Sequence, residues 1–419
     1  MALSHATRVP AGSGRSGGNP VSPGRRLVAA LAITQTIGYG TLYYAFAVFL
    51  TPLAADLHTT ATAVTGAFTA SVLIGAILAV PVGRWLDRHG GRILMTAGSA
   101  AGAVLLVALA HVHHLWQLYA VQVGLGAASA ASLYEAAFAV IIAWFTPDRR
   151  SNALLALTVV AGFASTVFLP LTGWLVNAHG WRAALLVLAA IQAVTVPLHA
   201  LVVPRSARSH DGVCTHRPAG DGAGAVRTAL ADRGFWLLAA GFTAHTAAIS
   251  ALTVHLVAAL TAWGHPPAFA ATIAGLLGVL SVTGRLVTTG LQRRYRTTTV
   301  TATIFAVQAV AALALPVVGA SVAGATGAVI GFGIGFGVAT IAKPVLLAER
   351  YDTGRYATLA GVLVVPMTLA KAGAPLAAAA LHAVTGSYTP VLAATAACCA
   401  VAAAAIAAVG TLPVGPSTR

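Results

Sequence analysis

The chain is short of charge, and shorter still of negative charge. Only 8% of its 419 residues are charged, nine acidic against 24 basic. A water-soluble domain carries about a quarter charged residues, so water is excluded as the solvent for most of this chain. Cysteine is scarce as well. Cys214 lies in a polar stretch, while Cys398 and Cys399 are neighbours in an apolar run. That spacing builds neither a disulfide framework nor a thiolate metal set, and the adjacent pair reads as apolar filler. No nucleophile–base constellation is legible, nor a phosphate-cradling glycine loop after a strand, which leaves no enzyme and no nucleotide-driven pump in the reading. No apolar core with a small-residue cleavage site precedes the first apolar run, so no cleaved signal peptide is expected. The excess of basic residues, a formal +15, is scattered between apolar runs. Nucleic-acid binders gather such charge on one face of a folded domain, and that partner is excluded too.

Apolar residues make up 58% of the chain, with a mean hydropathy of +0.85. About 20 apolar residues span a bilayer core as a helix. Twelve such segments are read, at 27–53, 62–83, 93–111, 115–145, 152–176, 182–203, 234–262, 268–291, 298–318, 322–347, 356–380 and 388–410. Alternating the connections between two faces sorts the arginines. Every basic residue between spans falls on the face of the N-terminus except Arg182; Arg285, Lys343 and Lys371 lie inside spans. The positive-inside rule then places both termini in the cytoplasm. The Gly-, Ser- and Pro-rich residues 1–26 read as a disordered cytoplasmic tail, and 411–419 as a second tail. Residues 204–233, with Pro204, Arg205, Asp211 and Pro218, read as a flexible cytoplasmic linker. It separates an N-terminal half, 27–203, from a C-terminal half, 234–410, each with six spans, the layout of a duplicated carrier. The fold class is therefore an all-α membrane protein of twelve helices in two six-helix pseudo-repeats.

The loop after the second span reads Gly83-Arg84-Trp85-Leu86-Asp87-Arg88-His89-Gly90-Gly91-Arg92. Gly83 and Gly90 permit a tight turn and close helix approach. Asp87 suits backbone amides at a helix N-terminus, and Arg88 and Arg92 suit a carboxylate or lipid phosphates. A basic loop alone would obey the positive-inside rule, but this spacing in this place resembles the signature loop of the major facilitator superfamily. The resemblance implies that Gly83, Asp87, Arg88, Gly90 and Arg92 form a gating latch between the halves on the cytoplasmic side. The counterpart after span 8, Gly284-Arg285-Leu286-Val287-Thr288-Thr289-Gly290-Leu291-Gln292-Arg293-Arg294, keeps the glycine and basic residues and has no aspartate.

Gly38 to Leu50 in span 1, Leu169-Pro170-Leu171-Thr172-Gly173-Trp174-Leu175 at the end of span 5 followed by Gly180-Trp181-Arg182, and Gly284-Arg285 resemble the bacterial relatives of monocarboxylate and oxalate/formate carriers. This implies a bacterial inner (plasma) membrane, alternating access and a carboxylate substrate. The span 4 arginine and span 5 Gly-Pro pair of drug antiporters are absent. So are the span 1 lysine and span 8 aspartate of animal monocarboxylate carriers; Ser281 stands in that aspartate's place.

An ionisable group within the bilayer costs about 2.5–3.5 kcal/mol on the insertion scale and is functional by default. Glu135 is the acid well inside a span. It suits a proton carrier or a fixed partner for a cation. Arg285 matches the family's substrate-anchoring arginine and could grip a carboxylate in two parallel hydrogen bonds, or merely snorkel. Lys343, beside Pro344, snorkels or binds; Lys371 faces the cavity or pairs with Glu135. His245 and His255 in span 7 suit proton shuttles or buried hydrogen bonds. Gln35, Tyr39 and Tyr43 fall on one helical face, a cavity wall or a packing stripe. His111, His113 and His114 have a metal-binding composition, but no cysteine or carboxylate completes a set, leaving a polar loop. The expected binding residues are thus Arg285, Tyr39, Tyr43, Glu135, Lys371 and His245. The excess of cation over acid points to a small organic anion moved with protons by a monomer in contact with lipid, without metal or cofactor. The alternatives are export of a drug or natural product and, further off, a membrane sensor.

Overall fold

The computed structural model describes residues 23–205, 222–351 and 353–413. Its regular structure is helical throughout, with no strand among the described residues. Ten helical stretches are long and apolar enough to cross a membrane. One of them, Pro147–Val202, has 56 residues. As a straight helix it would reach roughly 84 Å, far beyond the ~30 Å bilayer core. It turns back at Gly180, where φ is 79° and ψ 162°, and so makes two passes. Val322–Gly333 and Ala339–Arg350, joined through the glycine-rich turn at 334–338, supply the remaining pass. Span 1 is Pro23–Asp56, span 2 Ala61–His89, span 3 Gly91–Ala110, span 4 Leu115–Trp144. Spans 5 and 6 share Pro147–Val202. Span 7 is Arg233–Ala262, span 8 Pro267–Leu291, span 9 Thr297–Val318, span 11 Tyr356–Thr385 and span 12 Thr389–Thr411. The twelve passes are those read from the sequence.

Local chemistry fixes several ends. Thr60 accepts a hydrogen bond from the Ala63 amide and caps span 2; Ser321 does the same for span 10 through Gly324. Gly90, with φ 75°, both ends span 2 and begins span 3. The expected linker contains a helix of its own, Gly222–Ala231, packed beside span 7, so its second part is not an open coil. Residues 206–221, with most of the expected first tail and residues 414–419 of the second, lie outside the described residues; the first helix already starts at Pro23.

The helices turn apolar side chains outward. Ile77, Trp116, Leu201, Val317 and Val384 are all well exposed, as lipid requires. Polar groups turn inward and find one another: His199 joins Ser99 and Thr34 at 2.7 and 2.9 Å, and Thr41 donates to Gln192 at 2.8 Å.

The apolar core is asymmetric along the membrane normal. At the end that carries the start of span 1, one cluster runs through both halves, from Leu27 and Leu86 through Phe138 and Ile142 to Phe235, Val345 and Leu359. Towards the opposite end the apolar residues form separate clusters. One holds residues of the first half only, such as Phe49, Leu109 and Leu188; the others hold residues of the second half only, such as Leu256 and Leu392. The two bundles share one apolar core at the terminal end, and their apolar cores are separate at the other.

Candidate functional site between the halves

The seal has a polar clasp. Asp87, near the end of span 2, accepts hydrogen bonds from the Ala357 and Thr358 amides at 3.0 and 2.8 Å and from the Thr358 hydroxyl. These are the orphan N–H groups at the start of span 11, where a carboxylate also meets the positive end of the helix. The helices must come close for this. A Cβ on Gly83 would lie 2.2 Å from the Ala357 carbonyl oxygen, and one on Gly361 2.3 Å from that of Ala79. Arg88 has no ion pair and Arg92 none, among the described residues. A second clasp on the same face joins Asp232 to Arg350 and Tyr351 at 2.9 and 2.6 Å, while Asp232 also caps span 7 through Gly234. Burial works against charge on Asp232, but these hydrogen bonds outweigh it and hold its carboxyl below the ordinary value.

Mid-chain breaks place the charged groups. Span 4 breaks at Leu133 between Leu115–Ser132 and Tyr134–Trp144. Glu135 sits in the first turn of the second piece, where negative charge is favoured. Span 10 breaks at the glycine run. A Cβ on Gly335 would lie 2.0 Å from Gln308, and one on Gly337 2.2 Å from the Ser281 carbonyl oxygen, so only glycine fits there. At each break a glutamine amide donates to a backbone carbonyl, that of Phe332 also accepting from the Gly335 amide at 3.2 Å. Gln35 Nε2 donates to Ser132 O and Gln308 Nε2 to Phe332 O, both at 2.8 Å.

Past the two breaks the halves meet. Lys343 Nζ lies 2.6 Å from Glu135 Oε1. Lys343 is buried, so it does not snorkel; it, and not Lys371, is the partner of Glu135. The second oxygen of Glu135 is enclosed and has no hydrogen-bond partner among the described residues. Arg285 is also buried, at 8% exposure, and points across to the other half: Nη1 donates to the Thr158 carbonyl at 2.9 Å and Nε to Thr340 Oγ1 at 3.2 Å. Lys371 is exposed on the open side, donates to Tyr43 Oη at 3.1 Å and sits 5.1 Å from that ring's centre.

Between these charges stands a wall of aromatic rings. Tyr39 lies 4.4 Å from Tyr134, and Tyr43 lies 5.3 Å from Tyr44 and 5.2 Å from Phe68. A π-helical turn at Gly40–Tyr44 widens span 1 here, so Tyr44 joins Tyr39 and Tyr43 on the inner side. Such turns gather at functional sites. Tyr44 lies within electrostatic reach of both Lys371 and Arg285.

Of the residues expected from sequence, Arg285, Tyr39, Tyr43, Glu135 and Lys371 come together between the halves. His245 is placed elsewhere. It is 2% exposed inside the second half, bonded to Gln308 at 3.0 Å and stacked on Phe305 at 4.0 Å. It braces the amide that tends the span 10 break. His255 meets the Pro375 carbonyl at 3.0 Å. Gln35 likewise braces a break instead of lining the wall. Lys343, Tyr44, Tyr134 and Phe68 were missed as site residues. The signal for Lys343 was there, an opposite charge at the matching place in the second half; nothing in the sequence announces the π-turn that brings in Tyr44.

This geometry fits the comparisons with known proteins. The sequence model of the Major Facilitator Superfamily matches residues 31–375, and the chain belongs to that superfamily of transporters. Among curated proteins it is 29% identical over 328 residues to monocarboxylate transporter 13 of Bos taurus, covering 74% of this chain and 71% of that one. It is 30% identical over 179 residues to an MFS-type efflux pump of Mycolicibacterium smegmatis, 42% of this chain and 41% of that one. Among solved structures, a bacterial homologue of the iron transporter ferroportin in an outward-facing state aligns with a TM-score of 0.74 at 16% identity, over 94% of this chain and 100% of that one. The E. coli fucose:proton symporter aligns with 0.71 at 14% identity, over 92% and 98%. At such identities the likeness establishes the fold.

Proposed function

We propose that this transporter carries a small organic anion, a carboxylate, together with a proton, by alternating access between its two halves. The observation that carries the reading is a charge imbalance. Glu135 neutralises Lys343, and Arg285 and Lys371 remain without an acidic partner among the described residues. Uncompensated cations in a low-dielectric cleft lower the energy of an anion. The tyrosine wall supplies an apolar surface with hydroxyl handles for the substrate's body. Glu135, with one oxygen paired and the other idle, is the proton site: protonation would release Lys343 and loosen the contact between spans 4 and 10. The substrate class is in keeping with the monocarboxylate transporter of Bos taurus. The reading further takes the sealed, arginine-rich face as cytoplasmic, the membrane as a bacterial inner membrane and the working unit as a monomer.

The test is uptake into proteoliposomes. Labelled mono- and dicarboxylates should accumulate when an inward proton gradient is imposed, and Arg285→Ala should abolish their binding. Absence of carboxylate uptake, with expulsion of dyes or antibiotics instead, would establish the second reading, an exporter, for which the resemblance to the M. smegmatis efflux pump speaks.

A further inference from the structure

The sealed face carries a polar recess outside the cleft between the halves, lined by residues of the second half. It lies where span 8 hands over to span 9, an open recess with room for about 500 Å³. Arg293, Arg294 and Arg296 line it, all exposed, and none forms an ion pair among the described residues. Arg293 gives one hydrogen bond, to Asn152 Oδ1 at 3.2 Å. The one acid in the lining, Glu349, is engaged by the Thr297 hydroxyl at 2.9 Å. Gln292 supplies an independent signal. Both polar atoms of its side chain are shut off from solvent and lack a hydrogen-bond partner among the described residues. An amide left without partners is unfavourable, and a ligand that reaches it relieves that. Span 9, with 22 residues, starts in this recess without a side-chain cap, leaving amide N–H groups and the positive end of the helix turned to it. Leu291 and Tyr295, both exposed, place the recess at the membrane boundary.

We infer that this recess binds a phosphate-bearing anion, with the headgroup of an anionic phospholipid as its occupant. The fork of an arginine matches phosphate oxygens in pairs, and basic clusters just beyond a span recruit acidic lipid. Soluble phosphate shares the chemistry, so the experiment separates the two sources. Asn152 belongs to the first half and Arg293 to the second. An occupant that draws Arg293 to itself therefore competes with a contact that closes this face.

The experiment is thermal stabilisation of the full chain in detergent by phosphatidylglycerol, by phosphatidylcholine of the same acyl chains and by inorganic phosphate. Phosphatidylglycerol should stabilise where phosphatidylcholine does not. The variant Arg293→Gln/Arg294→Gln/Arg296→Gln should weaken that response at least about tenfold. Arg25→Gln/Arg26→Gln, which removes charge from the same face, should leave it intact. A response to inorganic phosphate that matches the lipid's, and is lost in the same variant, assigns the recess to the soluble anion. An undiminished lipid response in the triple variant, or an equal loss in the Arg25/Arg26 variant, overturns the site. A second measurement needs no variant. A photoactivatable phosphatidylglycerol should label wild-type protein mainly within residues 292–298, and labelling spread evenly over the basic loops would sink the assignment.

Discussion

At the scale of the residue, the central question is what the Glu135–Lys343 pair costs when it is broken. Removing one partner of a buried pair leaves a lone charge and is destabilising by about 3–5 kcal/mol, whereas removing both is far milder. Lys343→Met is therefore expected to lower the melting temperature in detergent, and Lys343→Met/Glu135→Gln to recover most of the loss. Equal melting of the single and double variants would mean the two residues are not coupled. Glu135→Gln has a distinct effect on transport: exchange of labelled for unlabelled substrate should persist while accumulation driven by a proton gradient disappears. Asp232 gives a pH prediction. Its carboxyl is held below the ordinary value by Arg350 and Tyr351. Its contribution to stability is thus complete above about pH 4, the unfolded value, and fades as pH falls through the lower native value. The gap in melting temperature between wild type and Asp232→Asn should be widest near neutrality and close in acid.

At the scale of the element, function rests on helices that do not run straight. Spans 4 and 10 each break, a glutamine from a neighbouring helix donates to a carbonyl at the break, and a charged residue follows it. Gln35 and Gln308 therefore carry a load that polarity alone did not reveal. Gln308→Leu should strip one hydrogen bond from the Phe332 carbonyl, leaving that of the Gly335 amide, and one from His245. It is expected to destabilise by about 1–3 kcal/mol, read as a lower melting temperature. The latch is the other element-scale device. Asp87 holds the first amides of span 11, and Gly83 lets the two backbones touch. Asp87→Asn should slow transport by about tenfold, equivalent to about 1.4 kcal/mol, while substrate affinity stays nearly constant. A wild-type rate would dissociate this contact from the cycle.

At the scale of the molecule, the state of the protein is written in where the apolar core is continuous. One cluster crosses both halves at the terminal end; separate clusters occupy the opposite end. Asn152 and Arg293, from opposite halves, meet at the closed end. Cysteines at these two positions, in a background with the natural cysteines replaced by serine, should be joined by a short bifunctional thiol reagent. Joining them should stop transport, and cleaving the link should restore it. Efficient joining without loss of transport would show that this end does not open.

The sequence alone determined the solvent, the number of passes and the gathering of the arginines on the face of the N-terminus, because bilayer thickness and the cost of burying charge act on composition directly and leave a one-dimensional record. It also marked Asp87, Arg285, Glu135, Lys371 and the tyrosines, since an ion or a phenol in an apolar run is conspicuous wherever it points. Which of these meet was decided only in three dimensions. The partner of Glu135 lies 208 residues away, and the choice of Lys343 over Lys371 follows from two helix breaks and the approach of two bundles. His245 reads the same in sequence whether it faces a cleft or a neighbour; packing against Gln308 and Phe305 turned it inward. Periodicity reports the face of an ideal helix, and here a π-turn, two glycine-dependent contacts and the closure of one end rotated the faces that matter.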